Sequence, residues 1–233
     1  MKIIVANWKM NGSVAFAERF MEEINPINTS NVVIVCPPVG LIERFSEFRY
    51  CVGAQNCFQE QKGAFTGENS PQLLREIGCK YVIIGHSERR TIFHETDAII
   101  YEKWKAAIAE DLIPIVCVGE KLEDHEHWQK ILSDQLKQFA TAPSDALRRT
   151  LFAYEPVWSI GTGQTPTIAE IEDSLAFIKN TLEFPESDCS LLYGGSVNAE
   201  NAASILAGKN VDGLLVGGAS LKIDEFKKII QLQ

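Results

Sequence analysis

The residues best suited to chemistry stand at the ends of short apolar runs. Phe152-Ala153-Tyr154-Glu155 is one such run, ending in a carboxylate, and the loop Pro156-Val157-Trp158-Ser159-Ile160-Gly161-Thr162-Gly163 follows at once. An apolar strand needs no acid at its end. Glu155 therefore reads either as a strand cap before an ordinary loop or as a base delivered beyond the strand. The loop starts stiffly at Pro156, carries bulky Val157 and Trp158, and leaves through permissive Gly161 and Gly163. A rigid segment between two hinges suits a lid, and a lid over a carboxylate suits a base that works out of water.

Other polar groups follow the same grammar. Asn7 and Lys9 come after the run at 3–6, and His86 after the run at 81–84. Singly, each has a plainer reading: a solvated lysine, a histidine capping a loop, an amide in a turn. Together they would bring an amide, an ammonium, an imidazole and a carboxylate to one rim. Gly194-Gly195-Ser196 and Gly217-Gly218 close the last two runs. Amides freed by glycine at helix mouths make a nest for phosphate, to which Ser196 can add a hydroxyl donor. Other candidates carry less. His125 and His127 flank Glu126 at a spacing that points the rings apart on a helix, which argues against a metal. Cys117 lies inside an apolar run without an obvious base, which argues against a nucleophilic thiol.

Eight apolar runs position these groups, at residues 3–6, 32–36, 50–54, 81–84, 113–118, 150–154, 191–193 and 213–216. Between them apolar residues recur at helical spacing, as in Val14, Ala17, Phe20, Met21 and Ile24. The runs are continuously apolar, as strands of a parallel sheet covered on both faces are. Eight β-α units in this length close naturally into a (β/α)8 barrel of the α/β class, with chemistry at the C-terminal ends of the strands. An open doubly wound sheet is the other architecture to weigh. It is weakened because no Gly-rich dinucleotide turn follows the first run.

Composition narrows the partners. A chain of 233 residues with 45% hydrophobic content can bury one large core, and no linker or low-complexity tract divides it, so residues 1–233 read as a single domain. A net charge of −9 argues against nucleic acid and anionic membrane as partners. The six cysteines show no C-x-x-C spacing and read as reduced core residues of a cytoplasmic protein. Asn7 and Lys9 interrupt the first apolar run too early for a signal peptide or a membrane span.

Six motifs together resemble the triosephosphate isomerase family. They are Asn7-Trp8-Lys9-Met10-Asn11-Gly12, Gly63-Ala64-Phe65-Thr66-Gly67-Glu68, Gly85-His86-Ser87-Glu88-Arg89-Arg90, Ala153-Tyr154-Glu155-Pro156-Val157-Trp158, Tyr193-Gly194-Gly195-Ser196 and Val216-Gly217-Gly218-Ala219. The resemblance runs in the family's order from residue 3 to about residue 221. It implies interconversion of dihydroxyacetone phosphate and glyceraldehyde 3-phosphate without metal or organic cofactor. By the same resemblance, Glu155 is the base, His86 a neutral electrophile, and Lys9 and Asn7 stabilise the enediolate. Glu88 partners Lys9, while Gly161, Ser196, Gly217 and Gly218 hold the phosphate.

The departures are few. Ser159 stands where the family usually has Ala, Gln164 where Lys is common, and Ser190 where many members pair an Arg with an Asp, here Asp212. An aldolase or sugar-phosphate epimerase barrel would need a Schiff-base lysine or metal ligands at the rim. A non-catalytic barrel would have dispensed with at least one of Lys9, His86 and Glu155. The loop over residues 57–69 is long for a barrel connection, and long ordered loops are usually functional. It carries Phe65 and Thr66, and the resemblance implies a homodimer in which this loop packs near residues 7–12 of the partner.

Overall fold

In the computed structural model, which describes residues 1–160, 164–183 and 190–232, eight parallel strands close into a barrel in chain order. They are β1 (Ile3–Asn7), β2 (Val32–Cys36), β3 (Cys51–Ala54), β4 (Tyr81–Ile84), β5 (Ile113–Val118), β6 (Leu151–Tyr154), β7 (Ser190–Tyr193) and β8 (Gly213–Val216). Closure is by β1, whose Ile3 pairs with Val32 on one side and Gly213 on the other. The expected barrel is therefore present, and the open sheet is excluded.

Each strand is covered on both sides. Val5, Ile34, Ile115, Cys117 and Leu192 fill the interior, while Ile4, Ala6, Val33 and Val35 belong to the larger core outside the barrel. This two-residue period places the chemistry. Leu151 and Ala153 face the interior, and Glu155 is next in that row, its amide extending the ladder to the Val118 carbonyl at 2.8 Å. Val5 likewise leads to Asn7.

The connections hold α1 (Val14–Ile24), α2 (Pro71–Glu76), α3 (Ser87–Thr91), α4 (Asp97–Ala109), α5 (Trp128–Leu136), α6 (Ser144–Arg148), α7 (Ile168–Thr181), α8 (Ala202–Leu206) and α9 (Ile223–Ile230). Several begin at side-chain caps: Ser13 accepts from Phe16 N, Thr96 from Ile99 N, and Thr167 forms a reciprocal box with Glu170. Strict alternation of eight strands with eight helices does not hold. The segment Val39–Glu47 is a 3-10 helix; it opens at Pro38 with no capping side chain and is broken at Phe45 (φ −89°, ψ 15°). Leu41, Ile42 and Phe45 are nevertheless buried, so the apolar spacing marks the covered face correctly. The apolar spacing from Trp128 to Phe139 is α-helical as far as Leu136, and Phe139 falls in a 3-10 turn over Phe139–Thr141 ahead of α6.

Trp8 anchors the rim. Its ring is fully buried, edge-on to Phe16, Phe20 and Phe45 with centroids 4.9, 5.0 and 5.5 Å away. Such pairs add about 0.5–1.5 kcal/mol each beyond the area they bury. The wedge lies between Asn7 and Lys9 in sequence and fixes both.

Candidate active site

Lys9 adopts a left-handed backbone (φ 51°), which a non-glycine residue holds only when its surroundings impose it. The Asn7 side chain accepts the Lys9 amide at 3.0 Å, and Gln55 Nε2 donates to the Lys9 carbonyl at 2.8 Å and to the Cys36 carbonyl at 2.9 Å. The ammonium ends 2.7 Å from Glu88 Oε1. Gln55 is a site-supporting residue that sequence reading missed, because a lone glutamine after a strand carries no motif.

His86 sits at the mouth of α3. Its Nδ1 accepts the Glu88 amide at 3.2 Å, whereas the Glu88 carboxylate lies farther off at 3.5 Å. Nδ1 therefore carries no proton, and the hydrogen-bond pattern assigns the proton of the neutral ring to Nε2. That nitrogen faces Glu155 Oε1 at 3.0 Å. The α3 segment is tied down by its arginines: Arg89 Nε bonds Glu95 at 2.7 Å, and Glu95 also takes the buried Lys103 at 2.5 Å. Arg90 donates to the carbonyls of Gly85 and Cys117 at 2.8 and 3.1 Å.

Glu155 is 2% exposed, and its second oxygen accepts the Ser87 amide at 2.9 Å. Two glycines make room for it. A Cβ on Gly119 would lie 1.8 Å from the Glu155 carbonyl oxygen, and one on Gly194 would lie 2.9 Å from Glu155 Cγ. Cys117 has the carboxylate of Glu155 beside it after all. Burial pushes the thiol well above its ordinary value and the Glu155 charge raises it further, so it makes a poor nucleophile.

Asn7, Lys9, His86, Glu155, Ser196, Gly217 and Gly218 line one cavity of about 500 Å³. The Ser196 hydroxyl donates to the Ser159 carbonyl. A Cβ on Gly218 would meet nothing within 4 Å, and one on Gly217 only Lys9 Cε at 3.7 Å. Gly161 and Gly163 lie outside the described residues; Ile160, just before them, reaches the lining. His125 and His127 fall in a 3-10 turn over Leu122–His127, with His125 turned onto Glu120. Asp212, without an arginine opposite, accepts the Leu191 amide at 2.9 Å instead.

The acid–base pair is electrostatically coupled. Burial works to raise Glu155, but the His86 imidazole, the Ser87 amide and the Lys9 ammonium outweigh it and hold the carboxyl below its ordinary value. Burial works to lower His86, and the contact with Glu155 overcomes it, raising the ring above its ordinary value in the free protein. A raised histidine adds stability that is fully present below the unfolded pKa and lost as pH rises through the folded one. Glu155→Gln removes the charge behind that shift. The His86 ring, followed by NMR, is then expected to titrate at lower pH than in the wild type; an unmoved titration would mean that the pair is not coupled.

A parallel barrel with carboxylate, imidazole and ammonium meeting over a glycine-edged cavity at its C-terminal rim is the framework of an enzyme equipped for proton transfer beside a carbonyl. The family model for triosephosphate isomerase matches residues 2–233. The triosephosphate isomerase of Moorella thermoacetica is 43% identical over 98% of this chain and 97% of its own length. Those of Clostridium novyi and Nitrosococcus oceani are 40% and 41% identical, each over 98% of this chain and 97% of their own. The chain belongs to the triosephosphate isomerase family, and its reaction is the interconversion of dihydroxyacetone phosphate and D-glyceraldehyde 3-phosphate. Among the described residues no helix is long and apolar enough to cross a membrane.

Proposed function

We propose that the isomerisation runs through an enediolate, with Glu155 carrying the proton between the two substrate carbons. The observation that carries this reading is the 3.0 Å contact between Glu155 and His86 beside the Lys9 ammonium in one cavity. A carbon acid next to a carbonyl needs a base within reach and an electrophile at the oxygen where charge develops. Glu155, kept ionised, takes the proton. His86 donates from Nε2 to the carbonyl oxygen, and Lys9 with Asn7 steadies the negative charge. A substrate lying between Glu155 and His86 breaks the contact that raises the imidazole. Burial and Lys9 then favour the neutral ring, against the charge of Glu88. The triosephosphate isomerases are themselves the reference case for a neutral imidazole electrophile at a helix mouth.

Glu88 holds Lys9 and, through its amide, the His86 tautomer. Ser196, Gly217 and Gly218 hold the phosphate, with Gly161 completing the set by resemblance. The open space beside Gly217 and Gly218 favours this, since side chains there would meet the ligand and not the protein. The substrate's own carbonyl is the electron sink, so the reading requires no metal or organic cofactor. Covering the site keeps water from an enediolate prone to losing its phosphate. A coupled assay with D-glyceraldehyde 3-phosphate tests the scheme: the wild type must turn it over, and variants lacking the base or the ammonium must fall far behind.

The same reading makes the protein a cytoplasmic, single-domain homodimer. Five described cysteines are free thiols, in keeping with a reducing compartment. The loop after β3 is closed at its base by the Phe58 amide on the Asn69 carbonyl, and Phe58 and Phe65 pack with centroids 4.5 Å apart. Phe65 is still 43% exposed, Met10 is 96% exposed, and Ile92 and Phe93 are uncovered as well. Large apolar side chains left in water point to a partner surface. Deleting Phe65-Thr66-Gly67 is expected to give monomers by sedimentation, with turnover down about tenfold, because residues 7–9 lose outside support. A monomeric wild type, or a fully active monomeric variant, would refute the assembly.

A further inference from the structure

Gln135 breaks the pattern of α5. The apolar spacing there runs through Trp128, Ile131, Leu132, Leu136 and Phe139, and position 135 belongs to the same row, one turn after Leu132 and beside Leu136. Leu132 and Leu136 are fully buried, so an apolar side chain at 135 would join them. Glutamine is there instead, and a single residue engages both ends of its amide. Its Oε1 accepts the Gly119 amide at 2.8 Å, and its Nε2 donates to the Gly119 carbonyl at 2.9 Å. A primary amide carries the same acceptor and donor as a peptide group of a neighbouring strand. The helix that presents it is itself anchored, with Trp128 edge-on to Phe177 of α7 at 5.3 Å between centroids.

Strand geometry explains why Gly119 needs this partner. The Val118 carbonyl accepts the Glu155 amide at 2.8 Å and the Glu120 carbonyl accepts the Val157 amide at 2.9 Å, so residues 118 and 120 turn toward β6. By the alternation of a strand, residues 117 and 119 turn the other way, to the side of β4. There β4 has ended at Ile84, whose partner is Val116. Beyond that point side chains take over from the missing strand: Arg90 donates to the Cys117 carbonyl at 3.1 Å, and Gln135 meets both pairing groups of Gly119. Gly119 in turn abuts the end of β6, where a Cβ on it would lie 1.8 Å from the Glu155 carbonyl oxygen. A shift of Gly119 is therefore passed to the backbone from which the Glu155 carboxylate hangs. We propose that Gln135 is a positioning residue for the isomerisation, holding Gly119 as the surface against which Glu155 is set. The proposal rests on Glu155 being the base.

The test compares wild type with Gln135→Met and Gln135→Glu, at a temperature where all three are folded. Methionine keeps the length and packing and removes both bonds; glutamate keeps the shape and the acceptor but has no donor for the Gly119 carbonyl. Each variant is expected to lose about tenfold in kcat for glyceraldehyde 3-phosphate, with KM and inhibition by inorganic phosphate within twofold, because small misplacements of a base are felt in turnover and not in phosphate binding. Hydrogen exchange of the Gly119 amide should speed up in Gln135→Met and stay slow in Gln135→Glu. A double-mutant cycle with Glu155→Asp locates the effect: if Gln135 acts by placing the Glu155 carboxylate, the combined loss in kcat falls short of the product of the single losses. Wild-type kcat in both variants, unchanged exchange at Gly119 in Gln135→Met, a matching rise in KM and in the phosphate inhibition constant, or a multiplicative loss in the cycle would overturn the proposal. Should Glu155 not be the base, Glu155→Asp alone would turn over normally whatever Gln135→Met does, so the two failures are distinguishable.

Discussion

Glu155→Asp is expected to lower kcat for glyceraldehyde 3-phosphate by about 10²-fold or more, with phosphate affinity kept within a few-fold. The carboxylate of Glu155 is held on both oxygens, by His86 Nε2 at 3.0 Å and the Ser87 amide at 2.9 Å. Removing one methylene withdraws it by ~1 Å and breaks at least one of these contacts, and near-attack geometry tolerates little such loss. The backbone cannot follow to compensate. Gly119 lies against the Glu155 carbonyl, and the Glu155 amide is bonded to Val118. The groups proposed to hold the phosphate, Ser196, Gly217 and Gly218, follow β7 and β8, so KM should move little. Steady-state kinetics with inorganic phosphate as a competitive probe separates the two quantities. An unchanged kcat would remove Glu155 as the base.

The rim was legible because the strand period does two jobs at once. It buries Leu151 and Ala153 in the barrel and thereby points the next residue of that row, Glu155, at the mouth. The same holds for Val5 and Asn7, so a polar residue ending an apolar run was a usable signal. The hands that grip these groups were not legible. Gln55 reaches Lys9 from the loop after β3 and Glu120 reaches Trp158 from the end of β5, and their partners are set by barrel closure, which no local pattern encodes. Glu120 is instructive: a glutamate after Gly119 looks like a solvated turn residue, yet it is among the most buried polar side chains. The helical spacing over Leu41, Ile42 and Phe45, and the end of that from Trp128 to Phe139, fail for a different reason. Apolar spacing reports which face is covered, and Leu41, Ile42, Phe139 and Leu147 are all buried. It does not report whether capping and proline placement, as at Pro38, let the backbone stay α-helical while covering that face.

Lys9→Met is expected to cost about 10²- to 10³-fold in kcat/KM, raising KM and lowering kcat together. Methionine approximates the length of the side chain and keeps its packing, so the change isolates charge. The ammonium stands beside His86 and Glu155 in the cavity lining, which Lys222 also joins, in a protein of net charge −9. Its loss leaves an anionic substrate to be drawn in by backbone dipoles and Lys222, hence the higher KM. Its loss also removes positive charge where the enediolate oxygen grows, hence the lower kcat. Two further consequences tie the result to this site. Glu88 loses its 2.7 Å partner and is left facing His86. Lys9 is also one of the groups that lower the imidazole, so its removal should move the His86 titration further up. The backbone at position 9 stays in place through Asn7 and Gln55, and circular dichroism should be unaltered. Lys9→Arg, which keeps the charge but spreads it over a larger planar group, should recover part of KM and little of kcat. Normal turnover by Lys9→Met, with His86 titrating as in the wild type, would remove the ammonium from the mechanism and leave the enediolate to His86 and Asn7 alone.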